Sequence, residues 1–240
     1  MTVRVLQSRS EIAEARRSLV SRGVSRLRSV PLPLRVLRRL GFASPSPIGD
    51  RRKSWDVALC TRFLEEHVSR SSAILDLGAY ASELPYVLHA AGYTSLFGID
   101  FDPRLAAMPL QNAVHFIRGD FHRAPLRAES IDAITSISVI EHGFSADALF
   151  GEASRLLRPG GYFIASCDYW PEKIDTADVI EFGVSWTIFS RDEILAMVEA
   201  ARHFDLHPTG AMELDARDRV IDWNSRKYTF AWLALRKGNR

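Results

Sequence analysis

Between Ile74 and Cys167, five short apolar runs alternate with stretches of helical period, and that alternation leaves few architectures open. Strands joined by helix-length crossovers lie parallel, because the crossover carries the chain back to the starting end of the sheet. The runs predict strands over residues 73–78, 95–100, 113–119, 131–138 and 161–167. Residues 82–91 read as a helix, and Asp102 caps a turn with Pro103 at its first position. Ser145 opens a helix with Leu149, Ala153, Leu156 and Leu157 inward, stopped by Pro159-Gly160-Gly161. Ser190 and Glu193 have capping-box spacing ahead of Ile194, Met197, Val198 and Ala201. Residues 204–214 and 227–236 then read as an antiparallel hairpin.

At 240 residues and 47% apolar composition, one such domain can bury a substantial core. No run reaches the roughly 18 apolar residues of a membrane span, and Met1 to Val20 carries Arg and Glu throughout, so a cytoplasmic protein without a transmembrane segment is expected. Cys60 and Cys167 are too few for a disulfide framework or a zinc site; they are expected to be buried thiols, with no metal centre.

Charge divides the chain in two. Residues 1–53 hold 13 Lys/Arg against Glu11, Glu14 and Asp50, a net +10, which leaves −8 for the rest of a chain of net +2. The expected organisation is a basic N-terminal arm over 1–53 and a main domain over 54–240. Within the arm, Val3 and Val5 predict a short strand, and Ser8 and Glu11 predict a capping box before a helix containing Ile12, Ala15 and Leu19. Leu34, Leu37 and Leu40 alternate with arginines as an amphipathic segment in a Pro-rich linker. Trp55, Leu59, Phe63 and Val68 mark the helix that leads into the first core strand.

In an open parallel sheet the ligand lies beyond the carboxyl ends of the strands, beside the point where strand order reverses. Asp76, Gly78, Asp100, Asp120 and Ser138 all fall at such ends. Gly78 allows a sharp turn and close approach of backbone to ligand. An ionised carboxylate accepts only, so Asp100 can take both hydroxyls of a ribose.

The segments "ILDLGAYAS", "LFGID", "FIRGDF", "IDAITSISVIEHG" and "RLLRPGGYFIAS", in that order, resemble the class I S-adenosylmethionine (SAM)-dependent methyltransferases, in particular the small-molecule type often called type 11. The resemblance runs from Trp55 to about Lys237. It implies a Rossmann-like α/β fold: a seven-stranded, mostly parallel sheet with a C-terminal antiparallel hairpin strand and helices on both faces. It also implies SAM as cofactor, with Asp76 toward the amino end, Asp100 at the ribose, Asp120 and Phe121 at the adenine, and Gly78, Tyr80, Phe101 and Ser138 also at the cofactor. The helix opened by Ser82 would face the methionine carboxylate. The chain departs from the family pattern at Tyr80 and Ser82, where glycine is usual. The Tyr80 ring must lie over the cofactor mouth or away from it; a ring filling the pocket would make this a non-catalytic SAM-binding or scaffold protein.

Glu141 and His142 follow the fourth strand, where an acceptor would approach, and are the candidate catalytic residues, His142 as general base or as a substrate-binding or structural group. Residues 167–190 carry Tyr169, Trp170, Trp186 and Phe189 with Asp168, Glu172, Lys173 and Asp175; they suit a small polar metabolite such as a sugar, or else pack the loop down. No Asn/Asp-Pro-Pro-Tyr motif and no catalytic Pro-Cys occurs, which disfavours DNA methylation. The absence of G-x-G-x-x-G after Asp76 disfavours a nicotinamide cofactor. Three roles stay open for the basic arm: packing over the main domain or a homodimer partner, binding RNA phosphates, or meeting an anionic surface such as a membrane.

Overall fold

The computed structural model describes residues 3–25, 27 and 48–239. Its strands are β1 (Val3–Val5), β2 (Ala73–Leu77), β3 (Ser95–Asp100), β4 (Val114–Arg118), β5 (Ile131–Ile137), β6 (Leu157–Tyr169), β7 (Ile180–Glu181), β8 (Val184–Ser185), β9 (Leu206–Pro208), β10 (Ile221–Trp223) and β11 (Arg226–Lys237). The main sheet runs β1-β11-β6-β5-β2-β3-β4, with β9 and β10 also paired to β11. β6, β5, β2, β3 and β4 are parallel, and β11 is antiparallel to β6. The chain leaves β2 for β3 and β4 on one side, then returns to β5 and β6 on the other. The reversal therefore lies between β2 and β5, where a ligand cleft is expected.

The period of two along each strand divides its side chains between two cores. Ile74 of β2 joins one core and Leu75 and Leu77 the other; in β11, Phe230, Trp232 and Ala234 face one way and Ala231, Leu233 and Leu235 the opposite way. Helices Arg9–Ser21, Ser54–His67 and Leu84–Ala90 cover the first face, and Ala146–Leu156 and Arg191–Arg202 the second. Both faces are closed, which is why these strands read as nearly continuous apolar runs. Cys60 and Cys167 are buried free thiols.

Some local expectations are met and others are not. Ser190 and Glu193 form the reciprocal capping box, at 3.3 Å and 2.8 Å. Ser8 makes no side-chain cap bond; its hydroxyl pairs with Ser10 instead, at 2.6 Å. The helix expected from Ser82 starts at Leu84 and has only seven residues; Pro85 in its first turn has no N–H to donate back to the Ala81 carbonyl. β1 is an edge strand of the main sheet, paired antiparallel with β11 through Val3↔Leu233 and Val5↔Ala231, and the first helix packs on helix Ser54–His67. The described beginning of the basic arm is thus built into the same body as the sheet. The amphipathic segment at residues 31–40 lies outside the described residues.

Candidate functional site

The loops at the carboxyl ends of β2, β3, β4 and β5 surround a cavity of about 530 Å3. Gly78, Tyr80, Asp100, Phe101, Asp120, Phe121, Ser138 and His142 all stand in its wall. Asp76 and Glu141 do not.

Gly78 has φ of +69°, and a Cβ there would come within 2.4 Å of a Val139 methyl, so both conformation and space call for glycine. The turn takes its second left-handed residue at Ala81 (φ 62°), leaving Tyr80 in ordinary backbone geometry. The Tyr80 ring lies in the rim, 4.4 Å from the Arg104 guanidinium, and packs against the small cluster of Ala79, Tyr86, Leu105 and Met108. It walls the cavity without filling it. The Tyr80 backbone N–H donates to Asp100 Oδ2 at 3.0 Å, and the Asp102 N–H donates to Asp100 Oδ1 at 2.8 Å. Asp100 is therefore fixed in place while each oxygen keeps acceptor capacity toward the cavity.

Asp102 caps its turn as expected, accepting from Arg104 N at 2.8 Å; the Arg104 side chain beside it holds its carboxyl below the usual range. Asp120 caps the short Phe121–Arg123 turn through Oδ1, which accepts from the His122 backbone and lies 3.0 Å from its ring. Phe101 is largely exposed on the rim. Asp76 lies behind Gly78, buried, with Oδ1 accepting from Thr135 at 2.6 Å and Oδ2 without a partner. Burial pushes its carboxyl up to about 7, against the Thr135 hydrogen bond.

The other end of the cavity is more apolar: Val57, Ile137, Val139, Phe182 and Val184, with Lys53, Ser138 and His142 as its polar groups. Burial pushes His142 down to about 4, so the ring is neutral near pH 7. Its Nδ1 has no partner, and its face meets Phe182 edge-on at 5.0 Å. Such a ring offers a hydrogen bond; it is poorly matched to removing a proton near neutrality. Glu141 is buried below the wall, with Oε2 unpartnered and its carboxyl pushed well above the ordinary range, first by burial and then by Asp168.

Two clusters around the cavity were not among the sequence expectations. In the first, Lys53 donates to Ser138 Oγ, sits 4.0 Å from Asp168 Oδ1 and lies 4.0 Å over the Phe230 ring. Three buried carboxyls, Asp56, Glu141 and Asp168, are grouped about it. Asp56 has no partner for either oxygen and is pushed up to about 8 by burial, with Lys53 opposing. The sequence signal was an acid on the apolar face of a helix, between Trp55 and Leu59. In the second, Arg16 reaches from the first helix to Glu83 through Nη1 (2.9 Å) and Nη2 (2.8 Å), and also donates to Ser25 and Ser54. Nothing local in the sequence pairs residues so far apart.

Of the two roles open to the aromatic loop, substrate contact or packing, the aromatic residues named mostly take the second. Tyr169, Trp186 and Phe189 are buried, Trp186 donating to Asp168 at 2.8 Å and Tyr169 to the Leu214 carbonyl at 2.6 Å. Lys173 pairs with Glu193, and Asp175 holds the Ala177 N–H. None of Tyr169, Trp170, Trp186 or Phe189 lines the cavity; Phe182 and Val184 of the same insertion do. Among the described residues no cluster could hold a metal ion.

Residues 75–165 match the Methyltransferase domain family. The chain is 33% identical over 91 residues to a phthiotriol/phenolphthiotriol dimycocerosates methyltransferase of Mycobacterium ulcerans, covering 36% of this chain and 32% of that one. The chain spans less than a third of the length of such curated relatives. Its fold matches the solved SAM-dependent methyltransferase from Mesorhizobium loti (TM-score 0.55, 16% identity, 77% of this chain and 97% of that chain). It also matches the [4+2]-cyclase SpnF (TM-score 0.59, 13% identity, 98% and 99%). At these identities the two structures speak to fold alone.

Proposed function

We propose that this chain, whose residues 75–165 belong to the methyltransferase-domain family, transfers a methyl group from SAM to an acceptor with an apolar body and one polar end. The observation that carries the reading is Asp100: a carboxylate anchored by two backbone N–H groups, with acceptor capacity left over, at the strand end beside the reversal point of the sheet. The residues fit the cofactor. Asp100 would accept from the ribose hydroxyls, Asp120 and Phe121 would flank the adenine, and the unpartnered Asp76 Oδ2 behind Gly78 would suit a donor at the amino-acid end.

SAM supplies a methyl group on a positively charged sulfur. The protein's part is then to orient the acceptor and exclude water. Val57, Ile137, Val139 and Val184 would exclude water, and the neutral His142 and the Lys53–Ser138 pair would fix the acceptor's polar end. This lining is the reason to prefer an apolar-bodied acceptor over the polar metabolite that the loop acids suggested. The relative named for phthiotriol dimycocerosates agrees with that preference.

The test is a thermal melt with SAM, S-adenosylhomocysteine and NAD. The first two should raise Tm, NAD should not, and Asp100→Ala should lose the response. Mass spectrometry of apolar alcohols, phenols and polar controls incubated with SAM then reads the acceptor. No response to SAM would overturn the reading.

A further inference from the structure

Large apolar side chains exposed on a folded surface are informative when they gather in one place. Ile180, Phe182 and Val184 are 66%, 76% and 40% exposed, all on the hairpin β7–β8, whose turn at Phe182-Gly183 has φ of 54° and 82°. Phe182 and Val184 also line the cavity, so the hairpin is its outer lip. Trp223, 45% exposed, is tied to this hairpin by its Nε1, which donates to Glu181 Oε1 at 2.7 Å.

The patch continues into positive charge. The Arg52 guanidinium lies 4.7 Å over the Trp223 ring. Arg52 in turn borders a groove of about 560 Å3 between the first helix and the Arg51–Lys53 turn, with Arg9, Arg17 and Arg51 around an apolar floor of Ile12, Val220 and Ile221. Arg17 and Arg51 form no ion pair among the described residues. Of the acids nearby, Asp50 is paired with Arg52 at 2.7 Å and Asp178 with Arg226 at 2.8 Å, while Glu181 holds the Trp223 indole; Asp222 is the acid in the groove itself. The sequence between these two basic elements, residues 26–49, adds five arginines and no acid.

We propose that this face docks on an anionic lipid surface, with Ile180, Phe182, Val184 and Trp223 entering the boundary between headgroups and acyl chains and Arg9, Arg17 and Arg51 meeting the phosphates. Both signals are needed, since neither a small apolar patch nor a few arginines holds a protein on a bilayer alone. A phosphate polymer would engage the arginines but give the exposed hairpin nothing to bury. The cavity opens beside the hairpin, so a docked protein would take an apolar acceptor from the surface without passing it through water. The purpose of docking rests on the methyl-transfer reading; the docking itself does not.

The test is flotation with vesicles of pure phosphatidylcholine and of an equal mixture of phosphatidylcholine and phosphatidylglycerol, at low and high salt, with poly(U) as competitor. The full chain should float with the anionic vesicles, remain behind with the neutral ones, and release at high salt. Ile180→Asp should weaken binding about tenfold, by losing the burial of one large aliphatic side chain. Arg17→Gln and Arg51→Gln should each weaken it about fivefold. No binding to anionic vesicles at low salt, binding indifferent to Ile180→Asp, or full displacement by poly(U) would each overturn the proposal. A SAM-induced rise in Tm measured on the same samples separates the two readings: vesicle binding without it costs the methyl-transfer reading, and the reverse costs this one.

Discussion

Replacing Arg16 by Met tests whether the first helix holds the cavity wall in place. Arg16 and Glu83 are almost wholly buried, with side chains 11% and 2% exposed, and Arg16 spends its guanidinium on Glu83, Ser25 and Ser54. Met keeps much of the apolar stem and removes the Arg16 charge from Glu83, whose hydrogen bonds from the Ser25 hydroxyl and the Leu27 N–H are untouched. Removing one partner of a buried pair costs about 3–5 kcal/mol. With an unfolding entropy of about 2.1 cal/mol/K per residue over the chain, this lowers Tm by about 6–10 °C.

The pH dependence gives a second handle. Burial raises the Glu83 carboxyl, but the Arg16 hydrogen bonds and charge overcome it and hold the group below its ordinary range. In the wild type this pair therefore contributes above the unfolded carboxylate range and is lost as pH falls through the lowered value. In Arg16→Met the largest opposing influence on burial is gone and the Leu27 and Ser25 hydrogen bonds stay, so the carboxyl moves up from its wild-type position and protonation relieves the variant. The Tm gap should narrow as pH falls from 7 toward 4. Differential scanning calorimetry across that range, with Arg16→Met/Glu83→Leu as the paired replacement, checks it. A gap under about 2 °C at pH 7, near 1 kcal/mol at this chain length, would refute the reasoning, as would a gap constant with pH.

Three further outcomes are expected. Gly78→Ala should cost about 2 kcal/mol or more in urea unfolding, from its left-handed backbone and its collision with Val139; Gly78→Ala/Val139→Ala should recover the steric part alone. Asp56, pushed up to about 8, keeps a proton that the unfolded chain releases near pH 4, so it lowers stability as pH rises through that window. Asp56→Asn should therefore gain Tm on the wild type between pH 5 and pH 8, and parallel curves would contradict this. The His142 ring resonances should stay still from pH 8 to pH 5.5 and move near pH 4, a midpoint near 6.5 being the contrary result.

What the sequence displayed of this molecule was what local chemistry governs. β3 ends at Asp100 as its pattern implies, because alternation and a following Asp-Pro cap define a strand end within a few residues. The Ser190 capping box formed for the same reason. Ser8 has the same spacing and did not form one, since the Gln7 and Ser10 side chains give that turn other partners, and spacing cannot weigh competitors. The buried pair Arg16–Glu83 and the carboxyls around Lys53 were hidden because each joins segments that only the sheet brings together. The loop aromatics posed a related problem: Trp186 and Phe189 suited substrate contact or packing equally well, and their burial is decided by β6 and β11 behind them.

β11 serves as partner to β1, β6, β9 and β10 at once. During synthesis it is made after the other described strands, so the sheet's outer portion has no template until all of those have emerged. Val3 must then find Leu233 across a separation that makes loop closure slow. Until β11 pairs with it, β6 presents an unpaired apolar edge. A ribosome-bound chain stalled before Arg226 should therefore already contain the parallel core β2 to β6, yet engage chaperones through that edge, and release from them should coincide with the arrival of β11.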